Sequence, residues 1–153
     1  IAPCADALGA IIMNMLYAVV GAIFMLAMGM FAFLKGDNVE RRGAGTYLLA
    51  WFASILVQRE LGADALPVGV FLIDLAVLAV FVALAWRSRR TWPAWASGIQ
   101  LLTVMSHILI IVDLRVPITS LYTVINLNGY LIIICIIVGT FWAWQERKAA
   151  GLE

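Results

Sequence analysis

Charge is scarce in this sequence: Asp, Glu, Lys and Arg make up 12% of its 153 residues, where a soluble domain carries about 25%. A single domain of this size has a large surface for its volume. So few charges cannot clothe that surface in water, and part of the exterior must face an apolar medium. Histidine is scarcer still, with His107 alone. A bis-histidine haem held within the chain is thereby excluded, while a single axial ligand is not. A zinc or dimetal site lacks ligands at useful spacing. The two cysteines, Cys4 and Cys135, form no CxxC or Cys/His cluster, and their different expected depths argue against a mutual disulfide.

Other absences narrow the chemistry. There is no G-x-S-x-G, HExxH or glycine-rich phosphate loop, so the chain is not expected to be an enzyme. A net charge of +1, with basic residues confined to the ends of apolar runs, offers no phosphate-tracking surface, and no nucleic-acid partner is expected. The segment following Ile1 lacks the basic n-region of a signal peptide.

What is present is apolar: 65% of residues are hydrophobic. The charges fall in clusters, and the stretches between them predict spans at about 8–34, 43–59, 66–86, 92–112 and 117–145. A bilayer core takes about 20 apolar residues as helix, which four runs meet and the second barely reaches. Charge bias favours its crossing. With five crossings and the N-terminus outside, Lys35, Arg41, Arg42, Arg87, Arg89, Arg90, Arg147 and Lys148 fall on the cytoplasmic side. Only Arg59 and Arg115 fall outside, as the positive-inside rule asks. If the second run does not cross, that bias collapses. The expectation is an all-α integral membrane protein, a five-helix transmembrane bundle in one membrane domain over 1–153 with a cytoplasmic C-terminus. Four spans plus a short re-entrant segment is the alternative. Trp86, Trp92, Trp95, Trp142 and Trp144 read as half of an aromatic belt at the cytoplasmic interface.

Small residues mark where helices approach closely in lipid, within the chain or against a neighbour. Ala18 and Gly21 share a face with Asn14 and Met25; Ala76, Ala79 and Ala83 form a stripe; Gly129 and Gly139 are further packing positions. Among polar residues, Asp74 stands out, because a carboxylate within a span costs about 3 kcal/mol on insertion scales and is functional by default. Asn14, Asp74, His107 and Asn126 fall at broadly similar depth, and Gln100 shares a helix face with His107. This polar intramembrane cluster reads three ways: an interhelical hydrogen-bond network, a contact for a partner, lipid or cofactor, or a proton relay between Asp74 and His107.

The functional expectation is a non-catalytic accessory or structural subunit of a larger complex in a bacterial inner membrane. It would pack laterally, against other integral membrane proteins or itself, through small-residue and polar helix faces. The competing expectation is a small proton- or ion-coupled transporter or channel using Asp74 and His107. Pigment, quinone or lipid contact is compatible with the Met- and Trp-rich positions, and the sequence identifies no particular cofactor.

Overall fold

A computed structural model describes the backbone of residues 2–60, 62–112 and 118–152, with side chains described for 15–16, 18–60, 68–112 and 120–152. Five α-helices follow one another: α1 (Ala2–Lys35), α2 (Asn38–Glu60), α3 (Gly62–Arg87), α4 (Trp92–Ile111) and α5 (Ile118–Ala149). The uncharged runs thus all adopt the conformation that satisfies its own backbone groups in hydrocarbon. Four segments, Ala18–Lys35, Val68–Arg87, Trp92–Ile111 and Ser120–Ala149, are long and apolar enough to cross a membrane. The chain is a multi-span membrane helix bundle.

The second helix is longer than its uncharged run. It begins at Asn38, inside the charged segment, and continues to Glu60, for 23 residues. At 1.5 Å per residue that is about 34 Å. A boundary drawn at the first charge understates such a helix, because charged side chains at a membrane surface do not interrupt backbone hydrogen bonding.

Each helix packs on its neighbours in sequence, and α5 returns to α1, so the five form a closed ring, with α2 also touching α5. The ends are ordered as well. Arg90 pairs with Asp37 and Glu146, and Arg147 pairs with Asp37 and donates to the Lys35 carbonyl. These contacts bring the α1–α2 turn, the α3–α4 turn and the last turns of α5 to one end. There α1, α3 and α5 terminate and α2 and α4 begin.

The core lies inside the ring and includes Met25, Met28 and Ala32 of α1, Ala44 of α2, Val77 and Phe81 of α3, Trp92 and Ala96 of α4, and Ile132, Ile133 and Ile136 of α5. On α3, Asp74, Val77 and Phe81 recur at three and four residues, the spacing of a single helix face.

One sequence expectation changes here, and the small-residue positions find their places. Trp92 is not part of an interfacial belt. It is buried, and its ring sits between Gly43 of α2 and Gly139 of α5, where a Cβ at either glycine would collide with it. Trp86, 90% exposed, and Trp95 and Trp142 do face outward. The Ala76, Ala79 and Ala83 stripe is exposed, because the opposite face of α3 is the one turned to the core; among the described residues nothing covers it. On α1 the tight approach is at Gly29, where a Cβ would come within 2.6 Å of the Leu48 side chain. Ala18 and Gly21 instead border a groove, where α1 stands off from its neighbours.

Candidate functional site

Asp74 faces inward from α3 and meets two side chains of α4. Gln100 Nε2 donates to Asp74 Oδ1 at 2.9 Å and to the Asp74 carbonyl at 3.1 Å. His107 Nε2 lies 2.8 Å from Asp74 Oδ2, an ion-pair separation without the alignment of a hydrogen bond. Gln100 and His107 are both buried. Gln100 lies eight residues after Trp92 and His107 fifteen, or about 12 and 22 Å along α4. The carboxylate between them therefore lies well inside the span that begins at Trp92.

The helix pattern explains the convergence. Gln100, Thr103 and His107 are spaced three and four apart, so one face of α4 is polar, and α3 supplies its acid to that face. Thr103 extends the polar seam to α5, accepting from Asn128 Nδ2 at 3.2 Å. This differs from the expected cluster. Asn126 is exposed and lines the groove that Asp74 borders, without a hydrogen bond to Asp74, Gln100 or His107; Asn128, two residues on and turned well round the helix, is the buried asparagine that reaches α4. The side chain of Asn14 lies outside the described residues.

Asp74 also borders a groove of about 390 Å³ between α1, α2, α3 and α5. Ala18, Gly21, Tyr47, Trp51, Ser54, Asn126, Gly129 and Tyr130 contribute to its walls. Gly129 has a specific role: Tyr47 donates its hydroxyl to the Gly129 carbonyl at 3.3 Å, so the small residue lets α2 approach α5. An acid with an imidazole on one side and a largely apolar groove with a few polar groups on the other can hold or exchange a proton. Among the described residues no group of three or more His, Cys, Asp or Glu is placed to hold a metal ion.

A second polar assembly, at the charged end, was not singled out from the sequence. Glu40 is completely buried. Its Oε2 accepts the Asp37 backbone N–H at 3.1 Å, the glutamate half of a capping box at the start of α2. Its Oε1 accepts the Trp92 indole N–H at 3.0 Å, and Arg90 Nε stands 3.8 Å away. Arg90 continues to Asp37 at 2.9 Å and to Glu146 at 2.6 Å. Arg147 binds Asp37 from α5, and Lys35 and Lys148 both lie over the Trp144 ring. Acids standing among the basic clusters, Asp37, Glu40 and Glu146, were the available signal; read only as topology markers, the basic residues hid it.

The chain matches no family model, no curated protein and no solved structure in the three comparisons made. Function therefore rests on the residues themselves.

Proposed function

We propose that this protein is a non-catalytic accessory or structural subunit that crosses the membrane five times, with its N-terminus outside and its C-terminus in the cytoplasm. The observation that carries the lateral role is the face of α3 bearing Ala76, Ala79 and Ala83. It is exposed on the bundle although its small residues suit close helix contact. The short connections between helices leave the membrane-facing surface as the main area for a partner. That partner is another integral membrane protein or a second copy of the chain.

The helix ends support five crossings. Both α1 and α3 terminate at the charged end, so if both cross, α2 must return the chain to the far side before α3 begins. The excess of Lys and Arg at that end favours the cytoplasmic side, and a bacterial inner membrane suits such a charge bias. The test of the subunit reading is the size of the assembly in mild detergent, read with Ala79→Leu and, as a control, Leu102→Ala on exposed α4. The reading expects Ala79→Leu to shrink the assembly and Leu102→Ala to leave it intact. A wild-type protein that is monomeric and without partners in native membranes overturns it.

The Asp74–His107 pair beside the groove favours a second reading, proton- or ion-coupled transport. Flux into liposomes that is lost in Asp74→Asn, with the fold retained, supports it. Absence of flux for protons and monovalent ions counts against it.

A further inference from the structure

A second groove, of about 450 Å³, runs between α4 and α5 at the charged end. We propose that it is a binding site for one anionic phospholipid, with an acyl chain lying in the groove and the phosphate held by Arg89 and Thr91. The inference is independent of whether the protein acts as a subunit or a transporter. It requires only that the charged end stands at a membrane surface.

The dimensions fit one leaflet. The α5 wall extends from Ile134 to Glu146, twelve helical steps or about 18 Å, slightly more than half of a hydrocarbon core about 30 Å thick. The deep part is lined by Ile134, Cys135 and Val138, which suits an alkyl chain. Polar groups are gathered at the other end. Gly139 forms part of the wall against the buried Trp92 ring, so the groove is floored by a fixed aromatic surface.

The mouth carries the charge. Arg89, Arg90 and Glu146 all line it, a net charge of one positive. Arg90 is engaged by Asp37 and Glu146, whereas Arg89 is exposed and forms no ion pair among the described residues. Thr91 precedes α4 without a side-chain capping bond, leaving its hydroxyl free to donate to a phosphate oxygen. Trp95 and Trp142 border the groove and are themselves largely exposed, at the interfacial depth where indoles settle. A cationic mouth, an apolar channel of leaflet length and flanking tryptophans together select a lipid over a soluble anion. They also select an anionic headgroup over a zwitterionic one, as basic residues at a membrane surface do.

The test is native mass spectrometry of the protein released from nanodiscs of equimolar phosphatidylglycerol and phosphatidylcholine. The expected result is one retained phosphatidylglycerol in several-fold preference. Arg89→Gln, at an exposed position, abolishes most of that preference, and Arg41→Gln, at the same end outside the groove, leaves it unchanged. Val138→Trp, which fills the channel, lowers retention of either lipid, with the melting temperature in detergent checking that the bundle is intact. Glycerol 1-phosphate, which has no acyl chain, does not displace the lipid. Equal retention of both lipids by the wild type overturns the proposal, as does an Arg41→Gln effect equal to that of Arg89→Gln. So does displacement by glycerol 1-phosphate, which would reduce the site to one for bare phosphate.

Discussion

Trp92 donates its indole N–H to Glu40 across 3.0 Å, joining α4 to α2 at a point from which solvent is excluded. One carboxylate thereby caps the start of α2, receives a tryptophan and faces an arginine. Removing one partner of a buried charged contact is far more costly than losing a surface ion pair, by about 3–5 kcal/mol. Glu40→Ala is expected to destabilise the bundle by about that amount, since it strands the Trp92 and Asp37 N–H groups. Trp92→Phe, which keeps most of the ring but loses the donor, should cost about 1–3 kcal/mol. Arg90 with Glu146 is a contrast: Glu146 is largely exposed, and Glu146→Gln should change stability by less than about 1 kcal/mol. Unfolding in mixed micelles titrated with dodecyl sulfate measures all three.

The same tryptophan leaves two glycines no room for a Cβ without a shift of its ring. A Cβ at Gly43 or Gly139 would overlap the ring from opposite sides. Gly43→Ala and Gly139→Ala should each cost about 1–3 kcal/mol, the range for overpacking a filled interior. Gly98→Ala supplies the control, because a Cβ there meets nothing within 4 Å. It should be neutral or slightly stabilising in the same unfolding assay. Equal losses at all three positions would mean that Trp92 is not what the glycines accommodate.

Much of this architecture was legible because hydrocarbon imposes a simple code: long uncharged runs become helices, and charges gather at their ends. Asp74, Gln100 and His107 were identifiable for the same reason, since polar side chains in such runs need partners. Which partners they find depends on helix rotation, and composition does not encode that. Asn126 and Asn128 are equally polar and two residues apart, yet only Asn128 is turned toward Thr103. Outward and inward small residues are likewise indistinguishable in a sequence: the regular alanine stripe of α3 faces out, while the isolated Gly43, Gly129 and Gly139 face neighbouring helices. Glu40 was hidden because charge near a helix end is normally solvated, and only the packing of Trp92 over it takes water away.

The Asp74 contacts are expected to be coupled. Asp74→Ala leaves the buried Gln100 amide without its side-chain acceptor and removes the carboxylate that faces His107, at a cost of about 1–3 kcal/mol. Gln100→Leu removes a donor but also its own need for a partner, so the double variant should be less destabilised than the two single losses added together. A coupling of about 0.5–3 kcal/mol in that cycle would match the direct contact at 2.9 Å. Asn126→Ala, at an exposed position, should leave stability nearly unchanged. A large loss there would indicate that α5 is rotated from the orientation described.

Topology itself is open to a direct measurement at the end of α2. Glu60 closes that helix, and Arg89 lies at the charged end beyond α3. In a background with Cys4 and Cys135 replaced by Ser, Glu60→Cys should react with a membrane-impermeant maleimide added outside intact cells. Arg89→Cys should react only after the membrane is opened. The reasoning is geometric: α1 and α3 end together, so the α2–α3 junction must lie at the opposite surface if both helices span. Protection of Glu60→Cys from outside, together with labelling after lysis, would instead favour a re-entrant α2. It would also force a reconsideration of which side of the membrane the eight clustered basic residues occupy.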